Sequence, residues 1–240
     1  MKKIFLRISI ITIVTLSILS GLSGSSIGFG ATVNVIKTNE QSGIKKYDDC
    51  LKLLKAGNER FQSDKILQVD LSSSKRKSLV NGQNPCAVII TCSDSRVPPE
   101  LIFNQGLGDL FVIRVAGNVI DKIELGSVEY AVAHLKTPLI VVMGHENCGA
   151  VEAAVKENGE KVHGNIGAII NKIEPSVQKA KSKNLFGKEL IEEATNENII
   201  NSSDELKKSK IIKEEIKKGN VKIVEAKYML KSGKVIWFNN

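Results

Sequence analysis

The chain has 240 residues, 42% of them hydrophobic and 25% charged, and its net charge at pH 7 is +8. This length suits one domain with a sizeable core. Lysine is scattered and is richest in the last third of the chain, and no basic stripe is interleaved with aromatic side chains. The composition therefore argues against nucleic-acid binding.

The first segment has the pattern of a secretory signal. Basic residues lie in Met1–Arg7, an apolar run follows in Ile8–Leu19, and small residues fill Gly21–Ala31. This order predicts a cleavable signal peptide over residues 1–31 and export of a single domain, residues 32–240. A retained anchor is the alternative, but the run is shorter than the roughly 20 residues of a membrane span. The exported part has a net charge of +5, so weak association with an anionic cell surface is a further expectation.

The next predicted element is a helix over Tyr47–Phe61, where leucines recur with roughly helical spacing and Gly57-Asn58 interrupts the run. Residues 72–85 are predicted to form a loop with one basic helical turn. Three short apolar runs then predict buried strands: Ala87–Ile90, Phe111–Val115 and Leu139–Met143. Such strands are typical of a parallel sheet that is covered on both faces.

A helix at Leu125–Leu135 would connect the second and third strands in a right-handed crossover. Further helices are predicted at Gly149–Val155, Gly164–Lys181 and Asp204–Lys218, and a hairpin at Val221–Met229 with Val235–Phe238. The predicted fold class is therefore α/β, with a mostly parallel central sheet, flanking helices and a C-terminal antiparallel hairpin at the edge.

Three metal-ligating side chains follow two of these strands. Cys92 comes directly after the first strand, and His145 and Cys148 follow the third. Ligands in open α/β sheets meet at the carboxyl ends of strands, so the three side chains should lie at one edge. Two thiolates and an imidazole are a ligand set of catalytic zinc. On the first turn of a helix, His145 and Cys148 would share one face.

Two charged residues accompany the first ligand, and they admit more than one role. Asp94 could be a fourth metal ligand, or Arg96 could hold its carboxylate in a two-pronged fork and leave that position to water. A simple turn-capping role for Asp94 is the third possibility, but it leaves Arg96 unexplained. Cys50 and Cys86 could be buried thiols or one disulfide, and the sequence leaves both open.

Longer motifs around these residues are similar to those of a known family. Cys92–Pro99, Gly108–Asn118 and Gly144–Ala150 together resemble a β-class carbonic anhydrase. The resemblance extends from about Tyr47 to the C-terminal hairpin. It implies one Zn²⁺ per subunit on the three ligands and reversible hydration of CO2 to bicarbonate and a proton by zinc-bound hydroxide.

The resemblance also implies further roles for single residues. Asp94 would be a switchable fourth ligand that pairs with Arg96, Gln105 would hydrogen-bond bicarbonate, and Gly117 would border a small apolar substrate pocket. A homodimer or homotetramer is implied, with the N-terminal helix packed on a neighbouring subunit. Hydrolysis of CS2 or COS on the same fold is one alternative function, and a non-catalytic exported zinc-binding surface protein is another.

Overall fold

The computed structural model describes residues 46–157 and 164–238, so the predicted signal peptide lies outside the described residues. The helices are α1 (Tyr47–Gln62), α2 (Ser73–Ser78), α3 (Pro99–Ile102), α4 (Lys122–Ala133), α5 (Gly149–Glu157), α6 (Gly164–Lys181), α7 (Gly187–Lys208) and α8 (Lys210–Lys217). The strands are β1 (Ala87–Thr91), β2 (Leu110–Arg114), β3 (Leu139–His145), β4 (Lys222–Tyr228) and β5 (Val235–Trp237). None of the helices in this part of the chain has the length and apolar character needed to cross a bilayer.

The strands form one sheet in the order β2-β1-β3-β4-β5. The first four are parallel, and β5 joins β4 in antiparallel register as the second strand of a hairpin. The predicted fold class is confirmed. Because β1 and β3 are neighbours, with Thr91 beside Met143, the chain segments that follow them begin at the same edge of the sheet.

Helices cover both faces of the sheet. Neighbouring strand residues point to opposite sides, so Ile89 packs with Leu54 of α1, whereas Ile90 packs with Val128 of α4 and Ile212 of α8. Every residue of β1 and β3 is buried, as the apolar runs predict. The same expectation is wrong for β2, which is only partly buried because it has one neighbouring strand and forms an edge of the sheet.

The Gly57-Asn58 pair does not interrupt α1. A Cβ at Gly57 would lie 1.8 Å from the carbonyl oxygen of Phe103, so glycine permits the close approach of α1 to the end of α3. Asn58 is buried and donates to the carbonyl oxygens of Ile102 and Gly233, while its own oxygen accepts from the N–H of Val235. The pair therefore ties α1 to α3 and to the hairpin.

Helix α7 is the largest departure from the sequence-based expectation. The predicted helix Asp204–Lys218 is in fact the end of α7 and all of α8, and the chain breaks between them at Ser209, where ψ is 130°. The first part of α7 was missed because much of its buried face is polar, which removes the apolar periodicity. The buried polar residues of this face are Thr195, Glu197, Asn198, Ser202 and Ser203.

A disulfide joins Cys50 of α1 to Cys86, the residue before β1, with their Cα atoms 5.7 Å apart. Of the two possibilities left open by the sequence, the structure thus contains the disulfide. Both residues are buried in the cluster between α1 and the sheet. The bond therefore fastens the first helix to β1, the strand that precedes Cys92.

Replacing both Cys50 and Cys86 by alanine should lower the free energy of unfolding by about 3 kcal/mol, because the cross-link restricts the unfolded chain. The two cysteines are 36 residues apart, which makes this entropy loss substantial. Guanidinium denaturation under oxidising conditions measures the change. The metal-free wild type, reduced with a thiol, is the matched control, because it loses the bond but keeps both sulfur atoms. Equal midpoints for the oxidised and reduced wild type would contradict this expectation.

Candidate metal centre

The three predicted ligands meet at the carboxyl edge of the sheet. Cys92 follows β1, His145 is the last residue of β3, and Cys148 immediately precedes α5. Their ligand atoms all lie within 4.8 Å of one another, and all three residues are buried. His145 and Cys148 do not share the first turn of a helix, so that expectation is wrong. Instead, a tight turn with left-handed Asn147 (φ 52°) reverses the chain between them.

The imidazole of His145 is oriented to offer one nitrogen to a metal. Nδ1 lies 2.9 Å from the carbonyl oxygen of Glu146, and because a carbonyl only accepts, Nδ1 carries the proton. Nε2 therefore has a free lone pair, and this buried atom has no hydrogen-bond partner among the described residues. A buried orphan acceptor beside two sulfurs fits a soft metal ion such as Zn²⁺.

The pKa values of the two cysteines shift in opposite directions. Their sulfur atoms are 4.0 Å apart. The hydrogen bond between the two sulfurs, with a smaller contribution from the N–H of Gly117, lowers the pKa of Cys92. The same hydrogen bond, together with burial, raises the pKa of Cys148. The two shifts have opposite directions because the sulfurs share one hydrogen bond, and cysteine binds a metal as the thiolate.

Asp94 and Arg96 form the predicted fork next to these ligands. Arg96 donates from Nε to Oδ1 of Asp94 at 2.9 Å and from Nη2 to Oδ2 at 2.7 Å, and its backbone N–H donates to Oδ1 as well. These hydrogen bonds hold the pKa of Asp94 well below its usual range. Oδ2 also lies 3.9 Å from Nε2 of His145. An ionised, firmly oriented carboxylate therefore faces the ligand cluster.

Comparisons with known proteins agree with this arrangement. The family model described as carbonic anhydrase matches residues 87–235, which include all three ligands. Carbonic anhydrase 2 of Mycobacterium tuberculosis is 41% identical over 187 residues, covering 77% of this chain and 89% of that protein. The solved β-carbonic anhydrase CcaA has a TM-score of 0.62 at 30% identity, covering 79% of this chain and 95% of that one.

The chain belongs to the β-class carbonic anhydrases. A second solved structure, the Coccomyxa β-carbonic anhydrase in complex with acetazolamide, has a TM-score of 0.63 at 26% identity. That comparison covers 70% of this chain and 78% of the Coccomyxa chain. The family membership confirms the resemblance that the cysteine, histidine and aspartate–arginine motifs carry.

Arg114 is a residue of this carbonic anhydrase that the sequence-based reasoning did not assign. It ends β2, and its guanidinium donates from Nε to the carbonyl oxygen of Cys92 at 3.1 Å and from Nη2 to the carbonyl oxygen of Asp94. It therefore fastens the backbone of the loop that carries both the ligand and the carboxylate. The sequence feature that could have identified Arg114 is that it is the one charged residue in the otherwise apolar run Phe111–Val115.

Gly117 lies beside Cys92, and its predicted place at a substrate pocket stays a prediction. Its N–H donates to Sγ of Cys92 at 3.3 Å, and its φ of 69° favours glycine. A Cβ there would lie 2.7 Å from Cδ1 of Ile173 and 3.2 Å from Cβ of Ala150. Glycine thus permits an apolar wall from α5 and α6 to approach the backbone next to Cys92.

Gln105 is placed differently from the other predicted site residues. Its buried amide donates to the carbonyl oxygens of Phe103 and Asn104, within its own turn. It lines a groove of about 550 Å³ whose other walls include Ile66, Leu101 and residues 67–72. None of its described contacts involves the three ligands, and its predicted role in binding bicarbonate stays a prediction.

Proposed function

We propose that this carbonic anhydrase binds one Zn²⁺ through Cys92, His145 and Cys148 and hydrates CO2 reversibly to bicarbonate and a proton. The observation that carries the proposal is the meeting of three buried donor atoms within 4.8 Å, one of them an imidazole nitrogen that has no hydrogen-bond partner among residues 46–157 and 164–238. When bound, Zn²⁺ supplies a Lewis acid that makes water a nucleophile near neutral pH.

The roles of Asp94 and Arg96 follow from their charges. Because Arg96 lowers the pKa of Asp94, the carboxylate is ionised throughout the neutral range and can only accept hydrogen bonds. Oδ2 of Asp94 would accept a hydrogen bond from the attacking hydroxide, without taking its proton, and would so orient the lone pair of that hydroxide towards CO2. We propose that Arg96 also keeps Asp94 from the fourth metal position, so that the pair gates the site.

Gly117 and Gln105 are proposed to contact the substrate. The absence of a side chain at Gly117 leaves room for a small apolar molecule near Cys92, with Ile173 and Ala150 as neighbours. The amide NH2 of Gln105 is already hydrogen-bonded, so its oxygen would accept from the hydroxyl of bicarbonate. In this proposal Gly117 leaves space for CO2 to bind, and Gln105 binds the product bicarbonate.

Assembly into a homodimer or homotetramer is also part of the proposal. The groove beside Gln105 is bordered by apolar side chains that are exposed to water in the single chain. The exposed fractions are 52% for Ile66, 57% for Leu71 and 60% for Leu101. Burial of such a patch between copies of the chain is favourable. Sedimentation of the purified protein distinguishes the monomer from these assemblies.

Export and weak association with an anionic cell surface remain proposals for the location of the enzyme. The basic, apolar and small-residue order of residues 1–31 supports export. The Cys50–Cys86 disulfide supports the same location, because disulfides persist in oxidising compartments.

The proposed reaction is tested by stopped-flow measurement of CO2 hydration with the zinc-loaded protein and with protein dialysed against a chelator. We expect hydration that requires zinc, with much slower turnover of CS2 and COS in parallel assays. Turnover of CS2 or COS without CO2 hydration would indicate the alternative hydrolase. Bound zinc with no turnover at any pH would indicate a non-catalytic zinc-binding protein.

A further inference from the structure

The short 3₁₀ turn Ala116–Asn118, which follows β2, lies against the metal ligands. The N–H of its central residue, Gly117, donates to Sγ of Cys92. Both Gly117 and Asn118 have left-handed backbone conformations, with φ of 69° and 46°. Asn118 is not a glycine, so its conformation is sparsely populated in a free chain. Contacts from the rest of the fold must therefore hold this turn in place.

Two buried side chains of α7 supply those contacts. Nδ2 of Asn198 donates to the carbonyl oxygen of Gly117 at 2.6 Å, and Oγ of Ser202 donates to that of Asn118 at 2.9 Å. The two residues are four positions apart and share one face of the helix. Each is only 1% exposed. A carbonyl oxygen accepts only, so the Asn198 amide must direct its NH2 group towards the turn.

Packing leaves the turn and α7 little freedom to separate or slide. A Cβ at Gly144 would lie 2.6 Å from Cγ1 of Ile199, so α7 is in close contact with β3 directly before the ligand His145. On its other side, Gly117 is backed by Ile173 of α6. Helix α7 thus contacts the backbone beside two of the three proposed metal ligands, Cys92 and His145.

We propose that Asn198 and Ser202 are positioning residues for the metal centre. By fixing the carbonyl groups of the turn, they aim the N–H of Gly117 at the sulfur of Cys92, without touching substrate themselves. The inference rests on the proposed metal site and assigns a role to α7 in tuning it. Groups that orient metal ligands in this way typically change metal affinity by about 10- to 100-fold when they are removed.

The test compares Asn198→Ala and Ser202→Ala with a matched control, Ser203→Ala. Ser203 is the next residue of α7 and is equally buried, but its hydroxyl donates to Glu225 of β4 rather than to the turn. Zinc affinity of each full-length protein is measured by competition with a chromophoric chelator. The thiolate-to-metal charge-transfer band of the Co²⁺-loaded protein reports the environment of the sulfur ligands.

We expect Asn198→Ala to weaken zinc binding about 10-fold and to shift the charge-transfer band, with a smaller change in the same direction for Ser202→Ala. Ser203→Ala should lose thermal stability and keep the wild-type band and affinity. Wild-type affinity and band in Asn198→Ala, or equal changes in Ser203→Ala, would overturn the proposal. If Asn198→Ala does not fold, Ser202→Ala decides by the same criteria. A wild type that binds no zinc would instead refute the metal site itself.

Discussion

Replacing Cys148 by alanine should release the metal and lower kcat/KM for CO2 hydration by about 10³-fold or more, because water without a Lewis acid returns from a pKa near 7 to about 15.7. Cys148 supplies one of the three donor atoms of the cluster formed with Cys92 and His145. No other cysteine sulfur or histidine nitrogen of the described residues belongs to that cluster. The remaining Cys92 and His145 would make a two-ligand site of low affinity. Metal content by elemental analysis and stopped-flow hydration rates measure both effects.

Val151→Ala is the matched control for Cys148→Ala. Val151 lies in the same buried cluster as Cys148 and is fully buried, but it offers no ligand atom. Its truncation should lower the free energy of unfolding by about 2 kcal/mol and leave zinc content unchanged. The ligand assignment fails if Cys148→Ala retains full zinc content and the wild-type hydration rate.

Arg96→Ala should lower kcat/KM by about 100-fold while the protein keeps its metal. Without Arg96, the carboxylate of Asp94 loses the fork that orients it, and its pKa rises towards the usual range, although it stays ionised at neutral pH. The freed carboxylate, whose Oδ2 is already 3.9 Å from Nε2 of His145, can then occupy the fourth metal position. A structural collapse does not explain this loss, since the Arg96 side chain is 55% exposed and an exposed ion pair contributes below about 1 kcal/mol.

Two further variants separate orientation from charge. Arg96→Lys keeps the positive charge but not the planar fork, so its rate should fall between those of the wild type and Arg96→Ala. Arg76→Ala removes an exposed arginine whose described side-chain hydrogen bond goes to the carbonyl oxygen of Leu71 and not to the ligand cluster, and it should leave the rate unchanged. A wild-type rate in metal-loaded Arg96→Ala would exclude the gating role.

The meeting of Cys92, His145 and Cys148 was predictable from the sequence because these residues follow recognisable strands. Cys92 and His145 come at the ends of β1 and β3, and neighbouring parallel strands bring such residues together without any knowledge of side-chain packing. The pairing of the Asp94 carboxylate with the Arg96 guanidinium could also be predicted, because the two residues are only two positions apart in the sequence.

Long-range contacts were not predictable in the same way. Spacing alone could not decide whether Cys50 and Cys86 form a disulfide, because their distance depends on how α1 packs on the sheet. The first part of α7 was missed because Asn198 and Ser202 occupy its buried face, where apolar residues would have revealed it. The polarity that concealed the helix is the same feature that lets it bind the turn beside Cys92.

X-ray absorption at the zinc edge, recorded on the full-length wild type and on Cys148→Ala, tests the central claim most directly. The wild type should contain about one zinc per chain, with two sulfur ligands near 2.3 Å and at least one imidazole nitrogen near 2.0 Å. Cys148→Ala should bind little zinc. Wild-type zinc surrounded only by oxygen and nitrogen, or unchanged two-sulfur coordination in Cys148→Ala, would contradict a metal centre built from Cys92, His145 and Cys148.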